Sequence, residues 1–195
     1  MSLAEFHPNQ IKLSKKDWSY LLEVARHAIK YGLSYHNPPF LELEKYPDSI
    51  KQEAASFVTL RESNVLRGCV GSVDAHLPLV QDVANHAFAA AFKDSRFASI
   101  NHIEEPVVHI AISVISDLVR INVDSEKQLV DLIEPLKCGV VLSLGGQKAT
   151  FLPEVWNDVD DGQEFVIRLK QSLDLPATFW SKDLTIECYQ VQTLE

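Results

Sequence analysis

The chain has 195 residues, 46% hydrophobic and 23% charged, with a formal net charge of −9 and a pI near 5.2. That is a globular composition with ample apolar content for a core, and the length suits one large domain or two small lobes. The acidity disfavours a general nucleic-acid coat, which needs concentrated Lys and Arg, but leaves room for a local basic patch.

In chain order, Ser14 followed by Asp17 predicts a helix start. Trp18, Leu21, Leu22, Ala25 and Ile29 then keep helical spacing, and Gly32 offers a stop. Residues 34–46 carry Pro38 and Pro39 without a period and read as a loop, and Pro47 opens a short helix to about Gln52. Ala55 to Glu62 and Val65 to Ser72 read as two strands joined by a Ser63-Asn64 turn. Pro78 opens a helix to about Lys93, whose Val83, Ala87 and Ala91 face suits close packing on a sheet, and Asp94-Ser-Arg-Phe97 ends it. Val107 to Ile115 and Leu118 to Val123 read as strands. Ser125 to Glu134 reads as a helix with a capping box through Gln128. Gly145-Gly146 joins Val140–Leu144 to Gln147–Phe151 in a hairpin. Pro153 to Asn157 reads as a helical turn, and Asp161 caps a helix through Leu173. Leu184 to Val191 is the final strand. Hairpins mixed with helices predict an α+β fold with a largely antiparallel sheet.

No apolar run approaches the roughly 20 residues that span a bilayer. Met1 to Trp18 contain no signal-peptide core. Cys69, Cys138 and Cys188 are odd in number and dispersed, which fits a reducing, cytoplasmic setting rather than a disulfide framework.

Leu66-Arg-Gly-Cys-Val-Gly-Ser72 is the most informative stretch. Two glycines around Cys69 on a strand point to a bulge, a bend or a ligand approach. Arg67 carries a planar fork suited to carboxylate or phosphate. Further segments stand out with it: Phe57-Val-Thr-Leu60, Asp94-Ser-Arg-Phe97, Ile112-Ser-Val-Ile-Ser116, Gly139-Val-Val-Leu142 and Ala149-Thr-Phe-Leu-Pro-Glu-Val-Trp156. In this order, over roughly residues 14 to 191, they resemble the AMMECR domain family, whose bacterial and archaeal members are called protein A of the AmmeMemoRadiSam system.

The resemblance implies a single domain over 1–195 with a two-lobed AMMECR-like fold. Helices pack a mostly antiparallel sheet, and a smaller second lobe accompanies the larger one. It implies association with a Memo-like protein and a radical SAM enzyme, but supplies no established reaction. An RNA-modification role has been suggested for the family, although the acidity of this chain argues against nucleic acid. The chain departs from the pattern at Ser95, where proline is common, at Lys170-Gln-Ser-Leu173, and at Cys138, a variable position.

Cys69 is the catalytic candidate, a nucleophile or redox thiol activated by Arg67. Its alternative is a small buried residue on a strand. Arg67, Gly68, Gly71, Asp94 and Arg96 are the ligand-binding candidates, forming a cleft for a ligand or substrate. Against this, Arg67 can pair with Asp94 or a carbonyl as a structural lock, and Asp94 with Arg96 can lock a turn. Enzyme and non-catalytic protein-binding module both stay open. The seven histidines show no metal-ligand spacing, so neither a metal nor a cofactor is expected. Trp156 and Trp180 read as packing aromatics.

Overall fold

The structure is a computed structural model that describes residues 6–194. Within them the chain divides into two compact units, one formed by 10–115 with 192–194 and the other by 6–9 with 116–191. Both mix helices with antiparallel strand pairs, so the fold is α+β.

The first unit begins with α1, Lys15–Tyr35. Ser14 Oγ accepts the Asp17 N–H and Asp17 returns a carboxylate to the Ser14 N–H, which satisfies two orphan donors at once. Gly32 does not stop this helix. An added Cβ there would lie 2.4 Å from the Phe92 ring and 2.7 Å from Phe88, so the glycine seats two aromatic rings. The helix ends at His36, in left-handed conformation with φ 59°, whose N–H caps the Gly32 carbonyl. Short 3-10 turns follow at Leu43–Lys45 and Asp48–Ile50.

Strands β1, Ser56–Glu62, and β2, Val65–Gly71, form an antiparallel hairpin. Its turn residues Ser63 and Asn64 both take positive φ, 50° and 66°, as a tight hairpin turn demands. Helix α2, Leu79–Phe92, follows, and β3, His109–Ile115, pairs antiparallel with β1. With β8, Val191–Leu194, the sheet order is β2-β1-β3-β8. Val83, Ala87 and Ala91 are buried in the core that α1 and α2 share with Val58, Leu60, Ile110 and Ile112.

The second unit holds β4, Val119–Ile121, helix α3, Glu126–Leu136, and the strands β5, Gly139–Leu144, and β6, Gln147–Phe151. Helix α4, Gly162–Gln171, and β7, Thr185–Tyr189, complete it, and the sheet order is β4-β7-β5-β6. Gly145 and Gly146 turn the β5–β6 hairpin with φ 57° and 86°. At α3 Ser125 Oγ caps the Gln128 N–H, but the Gln128 side chain returns to the N–H of Asp124 rather than of Ser125. Trp156 stacks on Phe165 at 4.2 Å and gives its indole N–H to the Cys138 carbonyl at 2.8 Å.

The expected single strand 184–191 is two strands. Gln190 interrupts it, exchanging bonds of 2.9 Å with the N–H and hydroxyl of Ser116. The chain then passes to the first sheet as β8.

Candidate functional site

The Arg67–Gly71 segment lies on β2, an edge strand. From the turn, Glu62 faces Val65 and Arg61 faces Leu66, but Leu60 faces Gly68. Arg67 is therefore the extra residue of a β-bulge. The bulge shifts the register by one, which exchanges the two faces of everything beyond it. Cys69 consequently stands opposite Thr59, on the face of Phe57, instead of opposite Val58 on the face that packs on the helices.

The two flanking glycines answer to packing. A Cβ on Gly68 would sit 2.1 Å from the carbonyl oxygen of Ala90, so only glycine lets α2 approach β2 here. A Cβ on Gly71 would meet the Phe57 ring at 2.3 Å and the Ser56 carbonyl at 2.4 Å.

All three Arg67 nitrogens are engaged within this unit. Nε donates to Glu104 Oε1 at 2.7 Å, Nη1 to the Ala98 carbonyl at 2.6 Å, and Nη2 to the Ser99 carbonyl at 3.3 Å. The Arg67 and Glu104 side chains are only 16% and 19% exposed. Arg67 thus locks the loop between α2 and β3, and its carboxylate partner is Glu104 rather than Asp94. The guanidinium holds Glu104 below the usual carboxylate range, helped by the Asn101 N–H.

Asp94 and Arg96 take hold of Cys69 from the strand's open edge. Asp94 Oδ2 accepts the Cys69 N–H at 2.9 Å, and Arg96 Nη2 donates to the Cys69 carbonyl at 3.2 Å. The two side chains are tied to each other by Arg96 Nη2 to Asp94 Oδ2 at 2.6 Å and Nε to Oδ1 at 2.9 Å. Together they occupy the hydrogen-bonding positions that a neighbouring strand would fill at this residue. The Arg96 bond, above all, holds the Asp94 carboxyl far below its ordinary value, with backbone N–H groups of Cys69 and Arg96 adding to it against the effect of burial. The Cys69 thiol, half-buried, lies 3.2 Å from Thr59 Oγ1.

The sequence names the residues on this strand and turn and offers a bulge among the readings of its two glycines, but it does not point to Thr59 or Glu104. Thr59 was within reach: a one-residue bulge in the hairpin brings it opposite Cys69. Glu104, 37 residues from Arg67 in an aperiodic loop, left no local signal.

A second polar cluster also escaped the reading. Buried Asp82 Oδ2 accepts the Ser56 hydroxyl at 2.6 Å and lies 3.1 Å from His86 Nδ1. Ser56 Oγ also lies 3.5 Å from the same His86 Nδ1, so one ring nitrogen faces both serine and carboxylate, unlike a nucleophile relay in which the two nitrogens divide those roles. The three residues tie β1 to α2. The dispersed cysteines also include a spatial pair. Cys138 and Cys188 are buried in the second core, and contact with Cys138, together with burial, pushes the Cys188 thiol far up. Among the described residues no group of three His, Cys, Asp or Glu is placed to hold a metal ion, and no helix is long and apolar enough to cross a membrane.

The family model for AMMECR1 matches residues 22–194, most of the chain. The chain belongs to the AMMECR1 family. Its relatives include a protein from Methanopyrus kandleri, 28% identical over 94% of this chain and 90% of that one. Another, from Methanocaldococcus jannaschii, is 24% identical over 94% of this chain and 92% of that one. The crystal structure of an uncharacterized protein from Pyrococcus horikoshii superposes with a TM-score of 0.78 at 25% identity, covering 89% of this chain and 88% of the other. The fold is therefore shared with a solved structure.

Proposed function

We propose that this AMMECR1-family protein is the substrate-binding component of a cytoplasmic system containing a Memo-like protein and a radical SAM enzyme, and that it binds through the Arg67–Gly71 segment with the Cys69 thiol as the contacting group. One observation carries the reading. The Cys69 peptide is gripped on both its N–H and its carbonyl by the Asp94–Arg96 pair while its thiol rests against Thr59. Such double anchoring fixes the direction of one thiol, as a contact group requires. Arg67 serves by bracing the loop beside it. Arg96, with a side chain 56% exposed, is a cation within reach of a ligand. The association with the two partners rests on family membership. Any iron–sulfur cluster and its radical chemistry belong to the partner, because three dispersed cysteines offer no cluster motif.

The test is timed alkylation of the full chain with peptide mapping, alone and with the two partner proteins. The expected result is labelling confined to Cys69, protection by a partner or its substrate, and weaker co-purification of the Cys69→Ser variant. Co-purification and protection unaffected by Cys69→Ser would overturn the reading.

A second reading, a non-catalytic docking module, draws on Phe40 and Ile103, which are 93% and 83% exposed. In that case Phe40→Ser or Ile103→Ser, and not Cys69→Ser, would release the partner.

A further inference from the structure

The second unit contains a pocket of about 440 Å³ at the β4 edge of its sheet. Its floor is apolar: Ile121 and Ile186 are cross-strand partners, each 3% exposed. Half-buried Trp180 forms a wall, and Arg120, Lys182 and Asp124 stand around it. The lining is mixed, an apolar floor and an aromatic wall under a polar and charged rim, and its volume lies within the roughly 300–1,000 Å³ of small-molecule sites.

Three observations define what the pocket suits. The first is Arg120. Arg26, Arg67, Arg96 and Arg168 each meet a carboxylate, and Arg61 is engaged as well. The side chain of Arg120, alone among the arginines, has no hydrogen bond or ion pair to a described residue, and neither has that of Lys182 beside it. In the lining, two cations without an ion partner among the described residues stand against one carboxylate, Asp124, and Glu187 faces Arg120 across the β4–β7 pair.

The second is Trp180. Its indole N–H has no acceptor among the described residues, whereas that of Trp156 is satisfied at 2.8 Å. An indole held half-open on an apolar floor offers a flat ring a stacking surface.

The third is the anchoring of the Trp180 loop. Lys170 is 0% exposed, and its ammonium donates to the carbonyls of Ala177 and Phe179 and to Glu126 Oε2 at 2.6 Å. Burying an ammonium is costly unless every proton finds a partner. Here two of the three go to the backbone just before Trp180. The loop is then closed by Ser181, which exchanges side-chain and backbone bonds with Asp183. The wall is thereby preorganised, which lowers the ordering cost of binding.

We propose that this pocket binds a flat ring carrying an oxyanion, a ligand of nucleoside monophosphate size, with the ring stacked on Trp180 and the anion held by Arg120 and Lys182. Lys170 is a positioning residue for the wall. The site does not depend on the role of Cys69, since all of its residues belong to the other unit.

Calorimetric titration of the full chain with AMP, UMP, adenosine and inorganic phosphate tests it. AMP or UMP should bind, with adenosine and phosphate each at least about tenfold weaker, because neither half uses both the indole and the cations. Arg120→Ala removes an exposed side chain and should weaken the nucleotide by about tenfold or more. Trp180→Leu should weaken it comparably, with a thermal melt as the check on folding. If Trp180→Leu melts early, Arg120→Ala decides alone. Absence of nucleotide binding at millimolar concentration, affinity unchanged in Arg120→Ala, or phosphate binding as tightly as AMP would each overturn the proposal.

Discussion

Thr59 stands directly opposite Cys69 in the β1–β2 pair, its hydroxyl 3.2 Å from the thiol. A hydroxyl in that place can donate to a thiolate and favour it. Thr59→Val keeps the shape and removes the donor. Alkylation of Cys69 should slow in that variant, while stability falls by no more than about 1 kcal/mol. Mass-spectrometric labelling rates beside a urea melt measure both.

Arg67→Ala should damage folding before it damages binding. The change strands the half-buried Glu104 carboxylate and two loop carbonyls, at a cost of about 2–4 kcal/mol. Glu104→Gln should cost less, since an amide oxygen still accepts from Nε. Urea denaturation of the two single variants and the double variant reads the coupling, and a well-folded Arg67→Ala would mean that Glu104 is not the partner that matters.

Acid should loosen the clasp on Cys69. Asp94 has a folded pKa depressed below its ordinary 3.8, so the stability it contributes is fully present above about pH 4–5 and is lost as the pH falls through and below that range. Urea midpoints of wild type and Asp94→Asn should converge toward low pH. Parallel curves from pH 6 to pH 2 would contradict this.

Gly68→Ala should be severe. With Ala90's backbone 2.1 Å from the new methyl, strand and helix must separate, at about 3 kcal/mol or more. Gly145→Ala, whose added methyl meets nothing within 4 Å, is the contrast: its cost comes from φ of 57° alone, about 1 kcal/mol.

Ala87→Leu on α2 should cost about 1–3 kcal/mol by overpacking a fully buried position. Thermal melts resolve a change of that size, and an unaltered melt would require a space beside Ala87 that its burial leaves no sign of.

The parts of the fold that the sequence made legible are those decided within a few residues. Gly145-Gly146 and Ser63-Asn64 set their hairpins because positive φ is a local demand. Ser14 and Asp161 cap their helices through bonds three residues away. What escaped was decided at long range. Gly32 reads as a helix stop, yet its lack of a side chain is used by two rings on another helix. Nothing in Tyr189-Gln190-Val191 breaks a strand; Ser116, 74 residues away, does so by capturing Gln190. At the candidate site the residue types were visible, but the Arg67 bulge turns Cys69 to the other face and Glu104 turns Arg67 from a candidate clamp into a brace.

The strand β8 joins its sheet only after the chain has built the whole of the other unit. Its Gln192 amide reaches the Ile11 carbonyl at 2.9 Å, and its Thr193 hydroxyl lies 2.9 Å from that of Ser113. During synthesis, then, β3 waits with one flank uncovered until residues made some 76 positions later arrive to close it. No single cut releases either unit intact: a break after residue 115 would leave the first without its last strand and strip residues 6–9 from the second. Dissection of this protein therefore calls for circular permutation or a grafted linker across 116–191 rather than truncation.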